Sequence, residues 1–401
     1  MNILHLYKDY YPVLGGMENH IKWLAEAQAA AGQQVSVLVT SLDRRTSVRW
    51  ENGVRVIRAA RLASVASTPL SLAFPWLLRR EQPDVAHLHF PYPLGEVSHY
   101  LLGRGRRTVI TYHSDVVRQA GILRLYDPLL RRILRRADCL IATSPQYVQS
   151  SPYLKPLEDR VRVIPLGLDL ARFQQPDPQQ VAALKARFPG PLLLFVGRLR
   201  YYTGVQFLLD ALPRVPAARL LIVGAGPMAA PWQAQTLGLH LADRVHFLGD
   251  ISDADLPAYY AAADLFVLPA CARSEAFGVV QLEALASGTP ILSTEVGTGT
   301  SYVNQDGLTG RVVAASDSQA LADALQELLS DPARLQAMAA AARQRAAAEF
   351  SLPIMVARLE TLYQDCLLYT SDAADERSSV DLVGRRIIKK KKKKKKSQST
   401  H

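Results

Sequence analysis

Two glutamates eight residues apart are the side chains of this sequence best suited to chemistry. Glu275 precedes a predicted helix, and Glu283 lies two turns into it. The free N–H groups and the positive end of a helix suit a phosphate, and Gly278 would allow a close approach. Glu283 could accept both hydroxyls of a ribose, while Glu275 could bind sugar hydroxyls or stabilise positive charge on a sugar ring. A capped helix with one solvated glutamate explains these residues equally well.

A second motif combines a cation with the end of a predicted strand. Arg198 follows that strand directly, and a helix is predicted to start near Gly204. Arginine suits bidentate phosphate binding. A surface arginine after a strand is common, so this motif is weak on its own.

Two motifs in the first half also follow predicted strands. Gly15 and Gly16 open a helix that carries Glu18 and His20, and a glycine pair lets backbone N–H groups approach an anion or a sugar. The run lacks the full G-x-G-x-x-G spacing, so dinucleotide binding is not predicted, and a tight turn is the alternative. His113 ends another strand, where it could bond a sugar hydroxyl or a leaving phosphate, or be an ordinary loop histidine.

A pair of histidines on one strand raises the question of a metal. His87 and His89 are two residues apart and therefore share a face. The sequence offers no evident third ligand, so we predict no metal site.

These motifs are embedded in two consecutive series of short apolar runs and helical stretches. Runs that are apolar throughout are typical of strands buried on both faces of a parallel sheet. The first series predicts strands at Asn2–Leu6, Gln34–Val39, Val54–Ala59, Val85–Phe90, Thr108–Tyr112, Cys139–Thr143 and Val161–Pro165. The second predicts them at Leu192–Val196, Leu220–Val223, Val245–Leu248, Leu265–Leu268, Pro290–Ser293 and Gly310–Val313.

Two such series predict an α/β protein with two doubly wound, Rossmann-like domains. We place the boundary in the Pro- and Gln-rich stretch near Gly167–Pro178. Residues 1–168 would form the first domain and residues 169–350 the second, with residues 351–365 starting a final helix. Ligands bind outside the carboxyl ends of such strands, so substrates would lie in the cleft between the domains.

Composition narrows the class of protein and singles out the tail. No apolar run is long enough to span a membrane, no signal peptide is evident, and three scattered cysteines fit a reducing cytosol. Of the net charge of +11, residues 366–401 carry +7, largely through eight consecutive lysines. Residues 366–376 back-translate to a string resembling a sequencing-library adapter, so we interpret 366–401 as a disordered artefact. A basic tail that binds nucleic acid or anionic lipid is the rival interpretation.

The motifs together resemble the retaining glycosyltransferases of GT-B fold, family 4 (group 1), which include bacterial mannosyltransferases. The likeness covers residues 1–365, and its most specific part is the E-x7-E run SEAFGVVQLEALASGTPI. Further matches are GGMENH, TYHSD, VIPLGLD, FVGRLRYYTG, VGAGP and FLGD. The order of these motifs is more specific than any one of them.

The resemblance implies roles for individual residues. Catalysis would involve Glu275 beside the transferred sugar, His113 near the leaving group and Arg198 on the donor diphosphate. A larger set would surround the substrates. Donor binding would involve Gly16, Arg198, Thr203, Phe277, Gly278, Val279 and Glu283, and the acceptor side Gly15, Gly16, Glu18 and His20.

The resemblance also implies an activity. The chain would transfer a hexose from GDP-mannose or a UDP-hexose to a glycan or lipid-linked acceptor in polysaccharide synthesis, with retention of configuration. No metal or other cofactor is expected, because protein cations and a helix end would take the charge of the diphosphate. The alternatives are a nucleotide-sugar epimerase or hydrolase on the same fold, and an inactive donor-binding subunit. Nucleic-acid binding is not expected.

One position departs from the family pattern. Thr203 stands where the family normally carries a lysine that supports the donor phosphates. Losing that cation would cost on the order of 10²-fold in rate. The threonine is a sequence error, a genuine weakening, or a change that Arg200 offsets, and it motivates the inactive-subunit alternative.

A basic amphipathic segment, Ile122–Arg136, suggests a second kind of partner. Its arginines could contact anionic lipid headgroups, which predicts a cytoplasmic protein attached peripherally to the inner membrane face. A core-facing helix with a solvated basic face is the simpler interpretation. The arginines concerned are Arg124, Arg131, Arg132, Arg135 and Arg136.

Overall fold

The computed structural model describes residues 1–13, 15–65, 68–116 and 120–368. Within these residues, two separate and mainly parallel sheets, each flanked by helices, follow one another along the chain. The predicted α/β class with two doubly wound sheets is confirmed.

The N-terminal unit is built on a sheet of eight described strands in the order β10-β9-β8-β7-β1-β2-β4-β3. All neighbours pair in parallel except β3 and β4. The strands of this unit, including a separate hairpin of β5 and β6, are β1 (Asn2–Leu6), β2 (Gln34–Thr40), β3 (Ser47–Glu51), β4 (Val54–Ala59), β5 (Ala63–Val65), β6 (Thr68–Leu70), β7 (Val85–Phe90), β8 (Arg107–Tyr112), β9 (Cys139–Ala142) and β10 (Val161–Val163).

The C-terminal unit is built on six described parallel strands in the order β13-β12-β11-β14-β15-β16. This is the strand order typical of Rossmann folds, in which the chain reverses direction across the sheet between its first and fourth strands. The strands are β11 (Leu192–Val196), β12 (Arg219–Val223), β13 (Val245–Gly249), β14 (Leu265–Leu268), β15 (Ile291–Glu295) and β16 (Gly310–Ala314).

Helices cover both sheets, and several begin at side-chain caps. Ser144, Asp177, Asp317 and Asp331 each accept a backbone N–H of the first helical turn, which satisfies groups that have no partner inside the helix. The described helices are α1 (Gly16–Ala30), α2 (Ala73–Arg80), α3 (Pro93–Leu102), α4 (Ala120–Arg136), α5 (Pro145–Ser150), α6 (Ala171–Gln174), α7 (Pro178–Arg187), α8 (Val205–Ala211), α9 (Ala229–Gly238), α10 (Leu256–Ala262), α11 (Val279–Ser287), α12 (Thr300–Val303), α13 (Ser318–Leu329), α14 (Pro332–Glu349) and α15 (352–368).

The last helix, α15, returns to the N-terminal unit. Its Met355, Leu359 and Tyr363 are buried against Ile3 and Val85 of the first sheet. Burying apolar surface of this kind stabilises by roughly 25 cal/mol per Å². The chain therefore crosses between the two units twice.

The structure corrects two expectations from the sequence. The strands β3, β5 and β6 were not predicted, because β3 is a mostly exposed edge strand and the hairpin strands are short. The helix α15 runs to residue 368, so residues 366–368 of the segment predicted to be disordered are helical. The rest of that segment, residues 369–401, lies outside the described residues. No helix in the described part of the chain could cross a membrane.

Candidate functional site

The C-terminal sheet reverses its strand order between β11 and β14, which are hydrogen-bonded neighbours. Arg198 follows β11 and is exposed, and Glu275 lies in the loop after β14. In open α/β sheets the crevice at such a reversal binds ligands. The fold therefore brings these two predicted residues to one end of the sheet, although the sequence places them 77 positions apart.

The loop that carries Glu275 leads directly into α11. Gly278 caps this helix with a φ of 72°, and a Cβ atom there would come within 2.8 Å of Leu268. Only glycine adopts this backbone conformation without strain. The Gly278 N–H, which we predicted to bind donor phosphate, donates to the Glu275 carboxylate in this structure.

Burial raises the pKa of both glutamates. The pKa of Glu275 rises to about 7 because the carboxyl loses solvent, although the hydrogen bond from Gly278 opposes the shift. The pKa of Glu283 also rises to about 7 through burial, and the Tyr260 hydroxyl, 2.7 Å from Oε2, opposes that shift. Perturbed carboxyl groups of this kind cluster at functional sites.

Thr203 does not extend toward the crevice. Its side chain is buried, and its hydroxyl donates to the Arg200 carbonyl oxygen at 2.8 Å. The next residue, Gly204, has a φ of 72°, and a Cβ atom there would lie 1.9 Å from the Pro269 carbonyl oxygen. The turn therefore requires this glycine, and Thr203 closes the turn instead of offering a group to an anion.

The N-terminal unit supplies the opposite side of the crevice. Gly16 is the first residue of α1, and a Cβ atom on it would lie 3.9 Å from Val279, the first residue of α11. Two helix starts therefore meet across the units. Glu18 is buried, which raises its pKa, and the charge of Arg198 acts to lower it. Predicted acceptor-side and donor-side residues thus lie within reach of each other.

Two polar contacts also join the units at this crevice. Arg273 Nη2 lies 2.8 Å from Asp115 Oδ2, and the Arg273 guanidinium packs over the Tyr147 ring. Ser150 Oγ donates to the Gly297 carbonyl oxygen at 2.5 Å. Each contact spans the crevice from one unit to the other, and together they help to hold the observed arrangement.

His113 follows β8 and belongs to a cluster of buried histidines. His89 Nδ1 lies 3.0 Å from His113 Nε2, and His5 Nδ1 lies 3.1 Å from His89 Nε2. His20 packs edge-on against His113, with ring centroids 5.4 Å apart. His87 completes the cluster beside His89, with ring centroids 4.4 Å apart. The sheet order explains the cluster, because β1, β7 and β8 are adjacent strands.

Desolvation lowers the pKa of every histidine in this cluster. The pKa of His5 falls to about 4 and that of His113 to about 3. The pKa values of His20, His87 and His89 also lie well below the ordinary value. All five rings are therefore neutral at neutral pH.

The polar residues behind His113 were not predicted from the sequence. His5 and Gln28 attracted no attention, and His89 was considered only as a metal ligand. One signal was available: uncharged polar side chains inside apolar strands and helices are costly unless they are hydrogen-bonded. Among the described residues, two groups of histidines are close enough to share a cation: His5, His87 and His89, and His20, His89 and His113. His5 is thus a third histidine beside His87 and His89, which the sequence did not reveal.

A groove of about 510 Å³ lies at the carboxyl ends of β1 and β2. Its lining combines charged side chains with tyrosines, which suits a carbohydrate or another polar chain. The residues that line it include Asp9, Tyr11, Asp43, Arg45 and Glu51.

Comparison with known proteins identifies the family of this chain. The family model for glycosyl transferases group 1 matches residues 178–345, and the model for glycosyltransferase family 4 matches residues 14–172. The chain belongs to the group 1 glycosyltransferases. Its predicted family and its GT-B fold are thereby confirmed.

Two relatives and one solved structure match most of the chain. The O-antigen chain mannosyltransferase C of Escherichia coli is 37% identical over 92% of this chain and 99% of its own length. The D-rhamnosyltransferase WbpZ of Pseudomonas aeruginosa is 38% identical over 86% of this chain and 91% of its own length. The structure of sucrose-phosphate synthase from Thermosynechococcus elongatus matches with a TM-score of 0.77 and 26% identity, covering 92% of this chain and 99% of that chain.

The arginines of α4 are divided between structural and exposed positions in this glycosyltransferase. Ile133 and Leu134 of the helix are buried in the core, and Arg131 is paired with Asp127 at 2.8 Å. The simpler interpretation, a core-facing helix with a basic outer face, accounts for these contacts. The exposed arginines are Arg124, Arg132, Arg135 and Arg136.

Proposed function

We propose that this glycosyltransferase moves a hexose from a nucleotide-sugar donor to a glycan or lipid-linked acceptor, with retention of anomeric configuration and without a metal ion. The observation that carries the proposal is the meeting of two helix starts, at Gly16 and Val279, with Arg198 and Glu275 at the same crevice. Helix starts and arginine favour anions. The diphosphate of a donor would therefore lie between them.

Each predicted residue then has a definite chemical task. Arg198 and the start of α11 would take the negative charge of the departing diphosphate, which is the task that a metal ion performs elsewhere. Glu275 would stabilise the positive charge that develops on the sugar ring. Glu283 would accept the ribose hydroxyls, and the Tyr260 hydroxyl at 2.7 Å from its Oε2 would hold it in place.

GDP-mannose is the first donor to test. The names of the Escherichia coli and Pseudomonas aeruginosa relatives state transfer of mannose and of D-rhamnose. A UDP-hexose is the second, because Anabaena HepE, a protein of similar fold at 20% identity and a TM-score of 0.72, was crystallised in complex with UDP-glucose. The groove beside β1 and β2 is the proposed acceptor site, with Tyr11 as the aromatic surface on which a sugar ring could stack.

The decisive experiment is product analysis with each donor and a synthetic mannose-containing acceptor. We expect transfer from one donor class, a product whose anomeric configuration by NMR equals that of the donor, and undiminished activity in the presence of EDTA. Inverted configuration or loss of activity with EDTA would reject those parts of the proposal. Turnover of the donor without any acceptor would favour the epimerase or hydrolase alternative.

The position of Thr203 keeps the inactive-subunit alternative open to experiment. Because Thr203 offers no charge to the crevice, a Thr203→Lys variant should bind the donor more tightly, with Thr203→Val as the control for disturbing the turn. A thermal-shift series with GDP, UDP and their sugars measures this, since a ligand that binds only the folded state raises the melting temperature. Donor binding without turnover in the wild-type chain, and turnover in the lysine variant, would favour the inactive subunit.

We further propose that this glycosyltransferase works in the cytoplasm, attached peripherally to the inner membrane face through α4. Arg124, Arg132, Arg135 and Arg136 are exposed, and Leu125 is 87% exposed between them. Basic residues near an anionic membrane contribute about 1 kcal/mol each. Replacing these four arginines with glutamine should abolish sedimentation with anionic vesicles at low salt. Unchanged sedimentation would reject this role for α4. Because the eight lysines near the C-terminus could also bind anionic vesicles, the comparison is repeated with the protein shortened to residues 1–368.

A further inference from the structure

A chain of hydrogen bonds runs from the core of the N-terminal unit to His113. Gln28 Oε1 lies 2.8 Å from His5 Nε2, His5 Nδ1 lies 3.1 Å from His89 Nε2, and His89 Nδ1 lies 3.0 Å from His113 Nε2. All four side chains are at least nine-tenths buried. The chain uses both ring nitrogens of His5 and of His89.

Neutral rings make this chain directional. Burial keeps the pKa of His5 and of His113 far below neutrality, so each ring carries one proton, on one of its two nitrogens. A ring that donates at one nitrogen must accept at the other. All the protons therefore point the same way along the chain, and whichever group lies at the end determines that direction.

Gln28 is the group at the inner end. Its carbonyl oxygen faces His5, whereas its amide nitrogen is buried without a hydrogen-bond partner among the described residues. A carbonyl oxygen only accepts, so His5 must donate from Nε2. His89 then donates from Nε2 to His5, and His113 donates from Nε2 to His89.

The outer end of the chain is a nitrogen with a free lone pair. His113 Nδ1 is buried and has no hydrogen-bond partner among the described residues, and the same is true of the neighbouring His20 Nδ1. A buried polar atom without a partner costs about 1–3 kcal/mol, and such atoms in native proteins call for an explanation. A ligand hydroxyl beside His113 would supply the missing partner.

We propose that Gln28 holds His113 in the Nε2–H form, so that His113 Nδ1 accepts a hydrogen bond from a hydroxyl of the donor sugar. Gln28 is thus a positioning residue that acts through His5 and His89. The identity of the sugar rests on the proposed function. The direction of the hydrogen bonds between His113 and Gln28 does not depend on that function.

The same geometry argues against a cation in this cluster. His89 belongs to both groups of three histidines that could share a metal ion. Each of its ring nitrogens faces another imidazole nitrogen, at 3.0 and 3.1 Å. In the proposed arrangement His89 Nε2 donates to His5 and His89 Nδ1 accepts from His113, so neither nitrogen is free to bind a metal.

The first test is to locate the ring protons by ¹⁵N NMR of the full chain labelled at histidine, at neutral pH. We expect His5, His89 and His113 all to carry the proton on Nε2, with His113 identified through a His113→Asn variant. A proton on His113 Nδ1, or a doubly protonated ring at His5, His89 or His113, would overturn the proposal.

The second test removes the group that sets the direction. In Gln28→Met the carbonyl is lost while the side-chain length is kept, so the two directions become similar in energy and His113 populates both forms. Leu24→Met, one turn earlier on α1 and equally buried, is the control and should leave His113 unchanged. A His113 signal that is the same in Gln28→Met as in the wild type would also overturn the proposal.

The third test separates the hydrogen-bond chain from the role of His113. Fluorine cannot donate, so a deoxyfluoro donor altered at the contacted position should bind the wild type and Leu24→Met about 10-fold more weakly than the parent donor. In Gln28→Met this penalty should fall to about 3-fold or less, because a ring N–H tolerates fluorine. Equal penalties in all three proteins, with the expected ring protons, would overturn the role of His113 in sugar binding. Loss of donor binding in every protein would contradict the proposed function itself.

Discussion

The histidine cluster of the N-terminal unit and the glutamates of the C-terminal unit are both desolvated, but burial moves their pKa values in opposite directions. The pKa of His113 falls to about 3, whereas the pKa values of Glu275 and Glu283 rise to about 7. Desolvation disfavours the charged form of either group. At neutral pH one side of the crevice therefore offers uncharged hydrogen bonds, and the other offers carboxylates that are close to their titration midpoint.

The two regions are therefore expected to have different tasks in the reaction. Neutral imidazoles can orient a sugar through hydrogen bonds, but they do not stabilise a charged transition state at long range. Carboxylates, Arg198 and the start of α11 can respond to the charges that develop when the donor is cleaved. The predictions below test this division, in order of expected effect.

The largest expected effect is destabilisation of the fold by acid. The buried histidines are neutral in the folded state and bind protons readily only when the chain unfolds. Below the unfolded pKa of 6.5 the unfolded chain binds protons that the folded chain excludes. For His5 this costs about 1.4 kcal/mol for each pH unit between 6.5 and 4, and four more buried histidines add to it. The urea midpoint should therefore fall steeply as the pH drops from 6.5 to 5.

The buried glutamates change the stability in the opposite direction as the pH falls. Glu275 and Glu283 keep their protons in the folded state up to about pH 7, so they favour folding as the pH falls from 7 toward 4.5. With Glu18 and Glu96, four glutamates among the described residues have raised pKa values, and with His99 and His246, seven histidines have lowered ones, so the histidines outweigh the glutamates. A urea midpoint that is constant or rises on acidification would contradict the comparison.

The next largest effect is expected from Glu275→Gln. If Glu275 stabilises positive charge on the sugar only in the transition state, kcat should fall by about 10²–10³-fold, while the donor Kd changes by less than about 3-fold. Steady-state kinetics with calorimetric donor binding separates the two quantities. A loss confined to donor affinity would show that Glu275 acts in binding alone.

Glu283 should respond in the complementary way, through donor affinity and its dependence on pH. Only its carboxylate accepts hydrogen bonds from both ribose hydroxyls, so donor affinity should fall about 10-fold as the pH drops below 7. In Tyr260→Phe the hydrogen bond that lowers the pKa of Glu283 is lost, and the midpoint should move to higher pH. If the pH midpoint of donor affinity is the same in Tyr260→Phe as in the wild type, Tyr260 does not set the pKa of Glu283. In Glu283→Gln the donor affinity should show no midpoint in this pH range.

The smallest effect is expected from the ion pair that joins the two sides. Arg273→Gln breaks the contact with Asp115 across the crevice and should lower the free energy of unfolding by about 0.5–1 kcal/mol. Arg214→Gln breaks an exposed pair within the C-terminal unit and is the control, with little effect. The free energy of unfolding is measured with urea at moderate salt. Equal losses in the two variants would show that the ion pair between the units stabilises the protein no more than an exposed pair within one unit.

The elements at the sheet centres were predictable because buried parallel strands are continuous apolar runs. The predicted bounds of Asn2–Leu6, Val54–Ala59 and Val85–Phe90 agree with the structure residue for residue. The edge strand Ser47–Glu51 has no such run, since most of it is exposed. Its pairing with β4 depends on a neighbour that is already in place, which local sequence does not reveal.

The family, the two Rossmann-like units and the glutamates of the E-x7-E motif were predictable from the sequence, because these are local patterns of residue type and spacing. The residues that surround those glutamates and face them across the crevice became evident only in the folded protein. Gln28, His5, His89 and His113 form one hydrogen-bond chain because helix α1 and three adjacent strands bring together residues up to 108 positions apart. Thr203 is turned away from the crevice by a bond within its own turn. Hydrogen bonds depend on angles and distances between side chains, and those exist only after the sheets have assembled.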